Sequence, residues 1–291
     1  MDRRQFLGRT TVSLAGLAAG GTAMGAGELG RATRERDDTA LPGGPGRELG
    51  CRQLIWSVPT AEPLAALTFD DGPDPELTPR ILAVLARYDV RATFNVMGYN
   101  AVRHCDLIRA LVDGGHELGN HTWSHQDLAF QSPTATGRQL DRGLAAIERT
   151  AGVRPRFFRP PRGELTGAAV QAAARLGHDI LLWSVAWGPA GVGTPGAVAD
   201  HLARAVRQGD VVLLHDGIGR GTFDPRAAQG RLLRARRQVE VAALPAAIER
   251  LLTGNLRLVT VSALLSSRSG PGWIGTGGAD RPGRRRTAEA G

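Results

Sequence analysis

From Leu64 onward the chain alternates short apolar runs with amphipathic stretches, and this alternation narrows its fold more than any other feature. Strands separated by helical crossovers pair in parallel, because each crossover returns the chain to the same end of the sheet. Candidate strands lie at Leu64–Phe69, Arg91–Val96, Glu117–Gly119, Arg156–Arg159, Asp179–Val185, Asp210–Leu214 and Leu256–Val261. Thr78-Pro79 supplies an N-cap and a first-turn proline for a helix over Arg80–Tyr88, and Gly114-Gly115 ends another that starts near Asp106. Further helices are expected at Thr136–Thr150, Thr166–Leu176, Pro195–Arg207 and Leu244–Leu252. The expected fold is α/β, a distorted (β/α) barrel of about seven parallel strands, with its active site at the strand C-terminal ends.

The reactive side chains follow that rule. Thr68-Phe69-Asp70-Asp71-Gly72-Pro73 puts two carboxylates at a strand end, where a glycine and a proline turn the chain. Alone this is turn chemistry, but adjacent carboxylates repel, and a cation bound to one leaves the other free as a base. Gly119-Asn120-His121-Thr122-Trp123-Ser124-His125 adds two histidines four apart, on one face if the segment is helical. Such a pair is as often structural as metal-binding; beside a carboxylate it suits a divalent metal with open positions. Phe158-Arg159-Pro160-Pro161-Arg162-Gly163 is a stiff loop in which Arg159 can hold a carboxylate and the Arg162 N–H can face inward. Finally, Val211–Leu214 delivers His215 at a strand end, where a lone histidine is more often structural than catalytic.

These four motifs, in this order over about Leu64 to Leu265, resemble the polysaccharide deacetylase family, carbohydrate esterase family four, with its NodB-like homology domain. The resemblance implies that Asp70 is the catalytic base and His215 the acid, with Arg159 orienting Asp70. It implies a divalent metal held by Asp71, His121 and His125, zinc first and cobalt or nickel as alternatives. The Arg162 backbone N–H would stabilise the oxyanion, with Pro161, Leu214 and Trp183 shaping the substrate pocket. The implied substrate is an N-acetylated glycan, peptidoglycan or a chitin-like polymer. Alternatives are a catalytically weak glycan-binding relative and a hydrolase of another non-peptide C–N bond.

Two departures from the family pattern stand out. After Trp183-Ser184-Val185 the family places an aspartate that pairs with the catalytic histidine, and this chain has Ala186. Unless Asp179 or Asp210 takes its place, the acid lacks its partner, which predicts a slower rate or a more acidic optimum. In the proline loop Arg162 stands where the family has an aromatic.

Composition frames the rest. With 42% hydrophobic and 22% charged residues among 291, the chain can bury a sizeable core. Its charge of +8 comes from arginine in a lysine-free sequence. Basic clusters admit polyanionic partners, but no nucleic-acid motif selects that class. The basic segment Gly219–Gln238 is expected as a loop at the mouth of the site, where Arg231, Arg234, Arg236 and Arg237 either steer an anionic polymer or are simply solvated.

Residues 1–30 resemble a twin-arginine export signal: Arg3-Arg4 and Phe6-Leu7 precede an apolar run from Val12 that is too short for a stable membrane span. This implies an extracellular or wall-associated protein. Residues 31–60 read as a linker and lead-in, 61–266 as the catalytic domain, and 267–291 as a disordered basic tail. Cys51 and Cys105 suit one disulfide or two unrelated thiols.

Overall fold

A computed structural model of the chain describes residues 53–188, 192–219, 224 and 226–269. The export-signal segment, most of the linker, Cys51 and the tail beyond residue 269 lie outside the described residues. Among the described residues nine strands form one sheet: β1 (Leu54–Ile55), β2 (Leu64–Asp70), β3 (Thr93–Val96), β4 (Glu117–Asn120), β5 (Phe157–Phe158), β6 (Asp179–Leu181), β7 (Val185–Ala186), β8 (Val211–His215) and β9 (Arg257–Val259). Every strand ladder is parallel. The order is β1-β6-β5-β4-β3-β2-β8-β7, with β9 also pairing with β2. An isolated antiparallel bridge between Ser57 and Asp210 links the segment after β1 to the start of β8, so the barrel is distorted rather than regular.

The described α-helices are α1 (Leu77–Arg87), α2 (Gly98–Arg103), α3 (Cys105–Asp113), α4 (Pro133–Ala151), α5 (Gly167–Leu176), α6 (Pro195–Ala205), α7 (Ala228–Thr253) and α8 (Val261–Ser266), with short 3-10 turns at Leu128–Phe130 and Pro161–Gly163. Several begin as their sequences dictate. Ser132, Thr166 and Thr194 each cap a first turn, accepting from the backbone N–H groups of Ala135, Ala169 and Ala197, and Pro133 and Pro195 occupy first-turn positions. Among the described residues no helix is long and apolar enough to cross a membrane.

Four expectations need correction. The run Asp179–Val185 is two strands, not one: Leu182 N–H donates to Ile55 O, whereas Ser184 N–H donates to Val211 O, so the chain changes neighbours at Trp183. Thr78 does not cap α1. It is buried inside the helix, its hydroxyl donating to Asp216 Oδ2 (2.7 Å) and accepting from Asp74 N–H (2.8 Å). The helix expected at Leu244–Leu252 runs from Ala228 through Pro245 to Thr253, so much of the supposed basic loop is helical. The strand expected to reach Val261 ends at Val259, where Thr260 caps α8.

The central strand explains how the fold makes a site. β2 is buried along its whole length, and its side chains alternate between two environments. Ala65, Leu67 and Phe69 face the helices and pack in one apolar cluster with Ile81, Leu85 and Ile248. Leu64 and Ala66 face the other way, into a cluster with Ile55, Phe157 and Leu181. Burying one large apolar side chain contributes about 1.5–3 kcal/mol, which fixes the strand's register. On the inward face the apolar residues give way to Thr68 and then Asp70, so the same alternation that builds the core delivers a carboxylate at the strand end.

Candidate metal and acid-base site

Asp70 and Asp71 diverge because the strand stops between them. Asp71 has φ 78°, a left-handed conformation away from the strand path, and Asn100 Nδ2 donates to its carbonyl (2.8 Å). Gly72 has no alternative here, since a Cβ would lie 1.9 Å from Asp216 Oδ2. Burial raises the Asp216 carboxyl pKa to about 8.

Asp70 is held from behind. Arg159, fully buried, donates through Nη1 to Asp70 Oδ1 (2.7 Å) and Thr68 Oγ1 (2.7 Å), through Nε to Leu181 O (3.2 Å) and through Nη2 to Leu182 O (2.8 Å). Asn95 Nδ2 also donates to Asp70 Oδ1 (2.7 Å). One carboxylate oxygen is thereby occupied twice, while Oδ2 lies 3.9 Å from His121 Nε2.

Asp71 Oδ1 is buried without a hydrogen bond, 3.5 Å from His121 Nε2 and 3.3 Å from His125 Nε2. One ligand atom from each of these three residues falls within 4.8 Å of the others. His121 Nδ1–H donates to Arg159 O (2.7 Å), which leaves its Nε2 lone pair for a metal. Burial lowers the His125 pKa to about 4, so that ring is neutral at ordinary pH. Burial also works against a charge on His121, but Asp70 and Asp71 outweigh it and hold that pKa above the usual value. The orphaned carboxylate oxygen and the two imidazole nitrogens suit a divalent cation such as zinc. The histidines do not share a helix face. They meet through turns, with Thr122 (φ 66°) and His125 (φ 55°) both left-handed.

A cavity of about 130 Å³ opens over these groups, lined by Asp70, Asp71, His121, His125, Arg162, Trp183, Leu213 and His215, together with Gly219, Leu233 and Arg237. Leu213, rather than Leu214, forms the wall: on β8 Leu213 and His215 share the inward face, and Leu214 is buried in the helix-side cluster. Pro161 is buried at the start of a short 3-10 turn and does not line the cavity. Arg162 has φ 58° within that turn and its Nη1 donates to Asp127 Oδ2 (2.7 Å).

Neither Asp179 nor Asp210 reaches His215. Asp179 pairs with Arg156, and Asp210 accepts from Ser184 Oγ and the Arg207 N–H. The carboxylate beside His215 is Glu240, on α7: His215 Nδ1 lies 3.1 Å from Glu240 Oε2. Arg237 Nη1 donates to Glu240 Oε1 (3.0 Å), and its Nη2 lies 3.7 Å from Asp71 Oδ2. Burial opposes ionisation of Glu240, but His215 and Arg237 outweigh it and hold its carboxyl below the usual range. The steering expectation therefore loses two of its arginines: Arg237 is internal, and Arg234 pairs with Asp74 (3.0 Å) and Glu76 (2.7 Å). Sequence reading missed Asn95, Leu213 and Glu240, and set Arg237 on a loop at the mouth of the site rather than inside it. A polar residue inside the apolar strand Thr93–Val96 was a signal for Asn95.

The sequence model of a family described as polysaccharide deacetylase matches residues 57–181. A peptidoglycan-N-acetylglucosamine deacetylase of Bacillus cereus is 34% identical over 214 residues, 73% of this chain and 92% of the relative. A chitooligosaccharide deacetylase of Sinorhizobium fredii is 38% identical over 161 residues, 54% of this chain and 74% of that one. A crystal structure of a peptidoglycan N-acetylglucosamine deacetylase in complex with 4-naphthalen-1-yl-N-oxidanyl-benzamide superposes with a TM-score of 0.64 at 29% identity, covering 74% of this chain and 95% of that one.

Proposed function

The chain belongs to the polysaccharide deacetylase family, and from that premise we propose that it is a metal-dependent hydrolase that removes N-acetyl groups from an N-acetylglucosamine polymer, peptidoglycan or a chitin-like glycan. The observation that carries this reading is the convergence of Asp71 Oδ1 with the Nε2 atoms of His121 and His125 beside a separately anchored Asp70.

Asp71, His121 and His125 would hold the cation, zinc first and cobalt or nickel next by donor type; when bound it supplies the Lewis acidity that activates water and the acetamide carbonyl. Arg159 and Asn95 fix Asp70 Oδ1, so Oδ2 faces the water and takes its proton as the new C–O bond forms. The Arg162 backbone N–H stabilises the tetrahedral oxyanion. His215 gives a proton to the sugar nitrogen as the C–N bond breaks, leaving acetate and a free amine. Leu213 and Trp183 bound the space for the acetyl methyl. A non-catalytic glycan binder drew its support from the missing aspartate, and Glu240 removes that support.

Arg3-Arg4 and the short apolar run after them support export by a twin-arginine route to the cell exterior or wall, where such polymers lie. Arg3→Lys with Arg4→Lys is expected to keep the protein inside the cell, by fractionation.

The decisive assay measures acetate release from chitooligosaccharides and from purified peptidoglycan before and after chelation, then after zinc, cobalt or nickel is restored. Activity should vanish on chelation, return with metal, and be absent in Asp70→Asn. Release that survives both treatments overturns the reading.

A further inference from the structure

We infer that Glu240 is the positioning residue of the proton donor, supplying from helix α7 the carboxylate that the strand end at Ala186 lacks. The inference rests on the proposed role of His215 as acid. His215 ends β8 on the inward face, half-buried, with its ring in the cavity wall. Its Nδ1 lies 3.1 Å from Glu240 Oε2, so the Nδ1–H is donated to the carboxylate and Nε2 is the nitrogen left to serve the substrate. Glu240 is itself immobilised: it is buried, and its second oxygen accepts from Arg237 one helical turn earlier (3.0 Å). The same guanidinium leans on Asp71 at 3.7 Å, so one side chain braces the acid's partner against the metal-ligand side of the cavity.

The vacated position explains why the carboxylate can come from elsewhere. β7 pairs with β8 with Ala186 beside Leu213, two residues before His215. A methyl group there makes no polar contact. The Ala186 carbonyl instead accepts from His201 Nε2 (3.0 Å), which ties β7 to α6. Fixing the tautomer and ring direction of a general acid matters only in steps whose leaving group needs a proton. An acetamide expels a poor leaving group, the amine; an activated aryl acetate expels one that needs none.

The test therefore compares two reactions in the metal-loaded protein: amide hydrolysis of a chitooligosaccharide and ester hydrolysis of 4-nitrophenyl acetate. Glu240→Gln is expected to lower kcat for the amide about 10- to 100-fold with KM little changed, and for the ester no more than about threefold. Ala186→Asp added to Glu240→Gln should restore at least about tenfold of the lost amide rate. Independently of turnover, the downfield Nδ1–H proton resonance of His215 in the metal-free protein should shift or vanish in Glu240→Gln. Equal losses on amide and ester, or a double variant no better than the single one, would show a merely structural role and overturn the inference. His215→Asn separates the two readings: if it loses amide hydrolysis while Glu240→Gln keeps it, only the Glu240 assignment fails. If His215→Asn keeps amide hydrolysis, the acid reading fails and this inference with it.

Discussion

Arg159 Nη1 and Asp70 Oδ1 meet at 2.7 Å with the arginine fully buried and every arm of its guanidinium engaged. An anchored carboxylate presents one oxygen and hides the other, which is what a base needs and a metal ligand does not. Asp70→Asn should therefore abolish acetate release by at least about 100-fold while the protein still binds zinc within about tenfold of its original affinity. Titration calorimetry beside the acetate assay checks the split, and parallel loss of both would assign Asp70 to the metal.

Arg159→Lys should be severe although it keeps the charge. Lysine cannot span Asp70, Thr68, Leu181 and Leu182 together, and breaking a buried charge pair costs about 3–5 kcal/mol. Thermal unfolding should show a clear drop in midpoint.

Neighbouring leucines on β8 should respond oppositely. Leu214→Ala empties part of the helix-side core and should cost about 2–5 kcal/mol in urea unfolding. Leu213→Ala opens the cavity wall and should mainly change kcat/KM for N-acetylated against N-propionylated glycans.

Gly119→Ala should damage activity from outside the cavity. Its Cβ would lie 2.2 Å from Asn95 Oδ1, and Asn95 is one of the two donors on Asp70. The expected outcome is a reduced kcat together with a lower melting temperature. Full activity would mean that Asn95 can leave Asp70 without consequence.

Acid should weaken the fold through His178. Burial, with Arg154 adding to it, lowers its pKa to about 4, against 6.5 for a solvent-exposed histidine. Between those values the unfolded chain takes up a proton that the folded chain refuses, so stability is full above about pH 6.5 and falls toward pH 4. The loss reaches about 3 kcal/mol at most. Urea midpoints across this range should fall less in His178→Gln than in the parent protein.

The strand-end motifs were legible because each packs its chemistry into a few contiguous residues after an apolar run. Asp70, Asp71, His121, His125, Arg159 and His215 could all be read that way. The motif points to Leu214 as lining, one place off, because the period-2 alternation of β8 turns Leu213 inward with His215 and Leu214 toward the helices. The early part of α7 carries no apolar stripe among its arginines, so its sequence resembles a loop; ion pairs from Arg234 to Asp74 and Glu76 hold it instead. Glu240 left no local mark at all, since its role depends on where a helix from a later part of the chain comes to rest.

Arg237 and Glu240 stand one turn apart on a helix of 26 residues, and they touch both sides of the cavity. Each residue in a helix turns the next by about 100°. A single-residue insertion between Glu240 and Pro245 would turn both side chains by that angle relative to the packed C-terminal half of the helix, where Leu244, Ala247, Ile248 and Leu251 are buried, and swing them off the cavity together. The stretch from Arg237 to Pro245 should thus keep its length, a rule set by angle rather than by exposure.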